Sequence, residues 1–310
     1  NQDGILKNTN LERNTLAFNL DPTFLNGDLK VNINAKGMYS INNFGNTDAV
    51  GSAVTFDPTQ PIMNGNTRYG GYTTWIDAKD GANINGNYNQ MATSNAVAQC
   101  NLTDNVSRVY RGIGNAQFDY KLPIAPDIHA NLNLAIDQYH SKGHNNADTI
   151  AVWTRRADYG KLTNYAQSGY TKTLDFTLHY TQPLDALKSK FDVMGGYSWQ
   201  HFWRKGSNYE RSIVPTDTAE ARKFPLIIAD NSKYKTESYL VSFFGRLNYS
   251  LMDRYLLTVT LRDDGSSRFS SSNRWGLFPS LALAWKIKNE SFLKDYKNLT
   301  DLKLRLGWGK

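Results

Sequence analysis

The sequence predicts an all-β fold: a transmembrane, antiparallel, up-and-down β-barrel, present as an incomplete barrel segment of about ten strands. Three observations predict it. Apolar and polar residues alternate with period two along most of the chain. The links between alternating segments are sorted by length. Aromatic pairs recur at one spacing on the apolar side of the strands.

Taken in order, strands are expected near 13–22, 28–43, 107–121, 128–142, 168–183, 190–205, 237–251, 255–266, 274–287 and 301–309. In the second, Leu29, Val31, Ile33, Ala35, Gly37, Tyr39 and Ile41 alternate with Lys30, Asn32, Asn34, Lys36, Met38 and Ser40. Successive side chains of a strand point to opposite faces, so one face is apolar and the other nearly all polar. The fourth strand repeats this, with Ile128, Ala130, Leu132, Leu134 and Ile136 against His129, Asn131, Asn133 and Asp137. The fifth sets Leu174, Phe176, Leu178 and Tyr180 against Asp175, Thr177 and His179. Several of these strands exceed the ~5–6 residues usual in globular sheets. They suit tilted membrane strands, which place ~9–11 residues in the hydrocarbon.

Short links fall at 23–27, 122–127, 184–189 and 252–254, long ones at 44–106, 143–167 and 206–236, and a medium one at 267–273. Short and long alternate strictly until the link at 288–300. In an up-and-down barrel this puts short turns at one end and long loops at the other, the asymmetry of outer-membrane barrels. A soluble sandwich has no reason to sort its loops so. The 44–106 link is rich in Gly and Asn and too long for a plain connection.

Tyr110 and Tyr120, Tyr170 and Tyr180, Tyr239 and Tyr249, and Trp275 and Trp285 each lie ten apart on the apolar parity of one strand. Phe191 and Trp199 are a near match. Ten residues at ~3.3 Å span ~33 Å, and a ~40° tilt projects that to ~25 Å, the height of the apolar band between two aromatic girdles. These eight residues are therefore expected at the membrane interfaces. The opposite parity places Lys36, Arg111, Asp119, Asp137, Asp175, Asp192, Arg246, Arg262 and Arg274 toward the lumen. Phe244 and Phe278 also point inward, either against a plug or through a local shift of register.

Composition narrows the alternatives. The chain has 310 residues, 40% hydrophobic and 13% aromatic, with 18 Tyr and 7 Trp. No apolar run reaches the ~20 residues of a transmembrane helix. Mean hydropathy is −0.55, a value that alternating barrel strands allow. The single cysteine, Cys100, excludes an internal disulfide framework and a cysteine zinc site. Net charge is +7, but Lys and Arg are spread singly, so nucleic acid is not an expected partner.

Chemistry-bearing motifs are sparse. His140 and His144 flank a strand end, which is too little for a metal site, while His129 and His179 read as lumen lining. Asp263 and Asp264 are adjacent on a strand and point apart. There is no phosphate loop and no nucleophile motif, and no cofactor is expected. The best ligand candidates are aromatics of the long loops: Tyr69, Tyr72, Trp75, Trp153, Tyr159 and Tyr165. Exposed aromatic faces stack on sugar rings; the competing reading is that these side chains simply pack the loops onto the barrel mouth.

The segment from Ser238 to Lys310 resembles the SusC/RagA family of TonB-linked outer-membrane proteins. The resemblance rests on Ser242-Phe243-Phe244-Gly245-Arg246-Leu247-Asn248-Tyr249, Asp253-Arg254-Tyr255-Leu256-Leu257-Thr258 and Leu261-Arg262-Asp263-Asp264-Gly265-Ser266-Ser267-Arg268-Phe269. It continues through Asn273-Arg274-Trp275-Gly276-Leu277-Phe278-Pro279-Ser280, Ala284-Trp285-Lys286-Ile287 and Asp301-Leu302-Lys303-Leu304-Arg305. Asn101-Leu102-Thr103-Asp104-Asn105 and Gly114 to Lys121 match more loosely, and the long loops not at all. Physically, Asp264-Gly265-Ser266-Ser267 reads as turn chemistry and Asn273-Arg274-Trp275-Gly276 as the start of the return strand.

The resemblance implies a large plugged barrel, of which residues 1–310 would be a partial barrel domain, with the N-terminal plug and remaining strands outside the chain. It implies nutrient import across a bacterial outer membrane, with glycans or peptides as cargo, a SusD-type surface lipoprotein as lid, and TonB engaged through the missing N-terminal region. The alternatives are a soluble secreted β-protein, such as an adhesin or carbohydrate-binding module, and an outer-membrane barrel enzyme, for which no catalytic constellation is found. The segment is expected to stay open, with the strands near 13–22 and 301–309 as unpaired edges, because ten strands would crowd the inward Phe and charged residues.

Overall fold

This computed structural model describes residues 1–89, 91–154, 160–213 and 228–310. The strands are β1 (Gln2–Asp3), β2 (Asn10–Leu20), β3 (Thr23–Phe24), β4 (Leu29–Asn43), β5 (Met63–Asn66), β6 (Gly71–Tyr72) and β7 (Thr103–Lys121), then β8 (Ile128–Ala147), β9 (Gly160–Leu184), β10 (Ser189–Ile213), β11 (Ile228–Leu251), β12 (Tyr255–Ser266), β13 (Trp275–Lys286) and β14 (Lys303–Gly309). Two short helices, α1 (Asp48–Thr55) and α2 (Ala96–Asn101), lie in the first long link.

All ten expected strands form, and each pairs antiparallel with its neighbours in sequence. The sheet runs β1-β2-β4-β7-β8-β9-β10-β11-β12-β13-β14, with β3 against β4. It is open. The N-terminal edge is slightly shielded, since Gln2 and Asp3 pair with Leu11 and Asn10 of β2. The rest of β2 and the whole outer side of β14 have no partner strand among the described residues.

One register carries both faces across the sheet. Val31, Phe118, Leu132, Phe176, Tyr197 and Phe243 stand directly opposite one another from β4 to β11. One residue away, Asn32, Gln117, Asn133, Asp175, Ser198, Ser242 and Asp264 form a second row on the other face. The polar row is laced together. Asn34 donates to Asn115 at 3.0 Å, Asn115 to Asn133 at 3.3 Å, Asn133 to Asp175 at 3.3 Å, and Ser198 to Asp175 at 2.6 Å. Among the described residues no second layer covers most of the apolar face: Phe176, Leu178, Phe243, Val259 and Leu283 are all exposed, and of the row only Val31 is buried. A sandwich would have buried them. An uncovered apolar face this broad marks contact with another apolar phase.

Phe244 and Phe278 do face the polar side, without any slip of register. The Phe244 ring lies over Gly196, where a Cβ would come within 2.6 Å of it, and the Arg262 guanidinium sits 5.3 Å from its centre. Phe278 stands opposite Arg262 on β13. Glycine on one strand thus makes room for an aromatic ring on the next.

At the turn end the connections are tight. Met252 and Asp253 both have φ of +54°, and Arg254 N–H closes the turn onto the Leu251 carbonyl at 3.0 Å. The longer link after β13 is tied down by Glu290, which is buried. Its carboxylate accepts from the Trp285 indole at 3.0 Å, the Tyr255 hydroxyl at 2.7 Å and Arg254 at 3.0 Å. These hydrogen bonds, first that of Trp285, hold the carboxyl below its usual range.

Two outcomes are expected in the full-length protein. Leu134→Arg or Phe176→Arg should destabilise the folded barrel by ~2–4 kcal/mol, with much less effect from Arg at Asn133 or Thr177, measured by denaturant titration in bilayers. Equal costs on both faces would overturn the assignment of the apolar face to lipid. A carboxyl whose folded pKa is depressed stabilises above its unfolded value, about 4.3, and loses that contribution as pH falls through the folded value. Glu290→Gln should therefore lower the denaturation midpoint at neutral pH, with the gap to the parent closing in acid. A gap that does not change with pH would remove the ionic role.

Candidate functional site

Because every connection reverses the chain, the long links gather at one end of the sheet. The strands also reach further toward that end than their alternation suggests. β8 continues to Ala147, β9 starts at Gly160, β10 runs to Ile213 and β11 starts at Ile228. Much of the expected links at 143–167 and 206–236 is therefore strand. Side chains here do not alternate in hydropathy, although the backbone ladder goes on pairing.

The first long link is a compact unit built on Asn side chains. Asn66 accepts from the Arg68 and Tyr69 amides at 3.0 and 3.2 Å, and Asn95 accepts from Val97 and Ala98, both at 3.1 Å, to start α2. Such side chains replace backbone ladder partners, which is why a Gly- and Asn-rich stretch folds here. Tyr69 is its centre, 1% exposed, with its hydroxyl donating to the Gly86 carbonyl at 3.0 Å and accepting from the Tyr88 amide at 3.1 Å.

The aromatic ligand candidates therefore separate. Tyr69 is a core residue of this unit. Tyr72 is half-buried and accepts from Asn101 at 2.9 Å. Trp75 remains partly open, beside Phe56 at 6.5 Å. Tyr165 is not in a loop: it belongs to β9, on the polar face, with its ring over Gly143 of β8. The start of β9 lacks the apolar alternation that marks a strand in the sequence. Tyr159 lies outside the described residues. Trp153 lines a cleft of about 470 Å³ with Asn46, Asp48, Asn105, Asn145, Lys161 and Glu210.

That cleft opens on the polar face at the loop end. Lys161 and Glu210 form an ion pair at 2.8 Å across β9 and β10, and Thr163 also reaches Glu210, at 3.5 Å. Asp230, opposite Glu210 on β11, accepts from Asn208 at 2.6 Å and Ser232 at 3.0 Å, which keeps its carboxyl below the usual range. The cleft thus offers one indole, a Lys–Glu pair, the Asp48 carboxylate and amide side chains, a surface that can bond a hydroxyl- or amide-rich molecule. Lys161, Glu210, Asn145 and Asp230 carried no motif by which the sequence could have marked them.

The expected interface aromatics fall into two rows on the apolar face. Toward the loops, Tyr110 meets Tyr39 at 4.7 Å, Tyr170 stacks on Trp203 at 5.2 Å, Tyr239 on His201 at 4.3 Å, and Trp275 on Phe243 at 6.1 Å. Toward the turns, Tyr180 meets Phe191 at 5.7 Å, which in turn opposes Tyr249, and Tyr255 stacks on Trp285 at 6.3 Å. Tyr120 opposes Leu29 and Ala130 at the same end. His140 and His144 are both inside β8, bound to Ser168 at 2.7 Å and to Asp104 at 2.9 Å.

The Asp264–Gly276 motif is strand closure rather than turn alone. Asp264, Gly265 and Ser266 are still paired in β12. A Cβ at Gly265 would lie 2.9 Å from the Trp275 indole, so glycine is required for that ring to cross the strand. Ser267 exchanges hydrogen bonds with the Tyr239 backbone at 2.8 and 3.0 Å, and the Arg268 guanidinium reaches Ser238 at 3.3 Å. The Phe269 amide bonds back to Ser266 at 3.3 Å, and the Asn273 amide to Ser270 at 3.0 Å. The Arg274 carbonyl accepts from Ser266 at 3.0 Å, one residue before β13 begins.

Comparison with known proteins agrees with this architecture. Residues 55–310 match the family model described as TonB dependent receptor-like, beta-barrel. The chain is 38% identical to the TonB-dependent receptor SusC of Bacteroides thetaiotaomicron over 99% of its own length and 31% of that protein's. It is 28% identical to the TonB-dependent receptor P3 of Formosa agariphila, over 99% of its length and 30% of the relative's. It spans about a third of the length of these curated relatives. In fold it is similar to the RagAB peptide transporter structure, with a TM-score of 0.69 at 17% identity over 97% of this chain and 33% of that one. The ferric preacinetobactin receptor BauA of Acinetobacter baumannii is similar too, with a TM-score of 0.51 at 11% identity over 93% of this chain and 40% of BauA. These relatives are receptors and transporters, and the chain belongs to the TonB-dependent receptor-like β-barrel family.

Proposed function

We propose that residues 1–310 form part of the barrel wall of an outer-membrane importer that takes up oligosaccharides or peptides with energy supplied through TonB. The observation that carries the reading is the polar cleft with Trp153 at the loop end of the sheet, on the face opposite the uncovered apolar one. Oligosaccharides and peptides both present rows of hydroxyl, amide and carbonyl groups that paired charges and Asn side chains can bond, and a sugar ring adds an apolar face for an indole. In this reading the two aromatic rows are the interfaces of the bilayer and the long loops face outward. A surface lipoprotein of the SusD type would cover the mouth. TonB would act through a region upstream of the wall. The similarity to SusC supports this assembly.

Two measurements test it. Trp153→Ala in the full-length receptor should lower affinity for the imported oligosaccharide or peptide about tenfold, the ~1.4 kcal/mol of one stacked aromatic face, at unchanged surface abundance. Unchanged uptake and binding would take Trp153 out of the site. Cys100, partly accessible in the first long link, should react with an impermeant maleimide on intact cells when the lipoprotein lid is deleted. Reaction only after the outer membrane is opened would reverse the orientation.

A further inference from the structure

Beyond the loop-side aromatic row, the apolar face changes character. Arg108 and Lys142 stand directly opposite each other on β7 and β8, two residues past Tyr110 and His140. Lys205 and Lys235 stand directly opposite each other on β10 and β11, past Trp203 and Tyr239. All four are exposed and share the face of Leu134 and Phe176. Just below them, Lys172 turns its amine back toward the loop end, 4.9 Å over the Tyr170 ring, and the Lys205 amine lies 5.6 Å from the Trp203 ring. Long cationic side chains behave this way where an apolar phase meets a polar one.

Like charges placed directly across two strands repel and destabilise the sheet unless a counter-charge sits between them. On the polar face the counter-charges are internal: Arg111 has Asp137 at 2.5 Å, Lys161 has Glu210 at 2.8 Å and Arg262 has Asp264 at 2.7 Å. On the apolar face they are so only in part: Lys235 has Glu237 at 3.5 Å. Among the described residues, Arg108, Lys142 and Lys205 have no carboxylate partner. Of the carboxylates on this face, Glu237 is engaged by His201, Tyr239 and Lys235 and Asp104 by His144, while Glu12 lies in the row of Arg108 but two strands away, beyond Ile41. Arg108, Lys142 and Lys205 stand over a shelf of aromatic rings at the rim of an apolar band without an ion pair among the described residues, and Lys235 shares its one carboxylate with His201 and Tyr239, so the row calls for anions supplied from outside.

We propose that Arg108, Lys142, Lys205 and Lys235 bind the phosphate groups of lipid headgroups in the surrounding leaflet, with the acyl chains lying on the apolar face beneath. Cations beside an apolar surface attract anionic lipid in this way. The proposal rests on the lipid-facing reading of the apolar face, which fails separately if Arg at Leu134 costs no more than Arg at Asn133.

The test is native mass spectrometry of the detergent-purified full-length receptor, with phosphatidic acid and phosphatidylcholine of identical acyl chains as probes. The parent should retain phosphatidic acid about tenfold more than phosphatidylcholine, and R108Q/K142Q/K205Q/K235Q should lose that preference. Arg13→Gln, Lys30→Gln, Lys36→Gln and Lys190→Gln together remove as many charges from the polar face and should leave it intact. If the fourfold variant does not fold, R108Q/K142Q and K205Q/K235Q should each lose part of the preference. A preference that survives in the apolar-face variants, or that falls equally in the polar-face control, would overturn the proposal. So would displacement of the lipid by excess inorganic phosphate, which would mark a simple anion site.

Discussion

The register between neighbouring strands is the constraint on which everything else in this chain depends. A slip of one residue in any pairing would turn every side chain of that strand to the opposite face. From β2 to β14 the described pairings keep one parity, and the one irregularity in the large sheet, between Glu210 and Arg211, falls near the loop-side end of β10. Backbone groups in hydrocarbon must bond within the sheet, so the ladder cannot be interrupted between the two aromatic rows. Side chains reinforce it from both sides. The Asn and Asp row bonds from strand to strand on one face, while the rings of Tyr110, Tyr170, Tyr239 and Trp275 meet aromatic or His neighbours on the other.

The membrane-facing part of this arrangement was legible in the sequence because physics requires it to repeat. Alternation and the ten-residue aromatic spacing recur from strand to strand, as a wall between an apolar phase and a wet interior requires. Strands such as β4 and β8 are therefore found within a residue or two at their turn-side ends. Above the band the forcing stops. The starts of β9 and β11 and the end of β10 stay paired, with one shift of register at Glu210 and Arg211, yet their residues follow no hydropathy rule. Tyr165, paired inside β9, therefore carries no strand signal of its own in the sequence. The cleft was illegible for a further reason: Asn46, Asn105, Asn145, Lys161 and Glu210 are each ordinary polar residues, and only the register of four strands and the fold of the first link bring them to Trp153.

Inward-facing Phe244 shows how a local break in pattern can conform to the global one. Read along its own strand it looks like an error of parity. Read across the sheet it is one half of a pair, since Gly196 leaves the space its ring occupies and Arg262 covers it. Gly265 and Trp275 repeat the device on the other face. Glycine weakens a strand when nothing fills the gap. With a ring laid over it, the same position instead fixes the offset of one strand against the next, because a side chain at Gly196 or Gly265 would push the ring out. The Asp264–Gly276 motif is thus a statement about register, and its residues gain meaning from β11 and β13 together.

The two ends of the sheet follow from different uses of the same ladder. At the turn end, strands stop close to the aromatic row, and the links are held by side chains such as Glu290 that bond aromatics of that row directly. At the loop end, β9 continues ten residues past Tyr170 and β10 ten past Trp203. At ~3.3 Å per residue this is ~33 Å of strand, as long as the part between the aromatic rows. Ladder bonds exposed to water on both faces gain little by themselves. Their persistence follows from cooperation among the four long neighbours β8 to β11, closed at the top by the Lys161–Glu210 pair and the Asn208–Asp230 bond. The result is a paired wall standing above the apolar band. A cleft whose floor is strand and whose lip is Trp153 and α1 inherits the rigidity of that wall, which a site made of loops alone would lack.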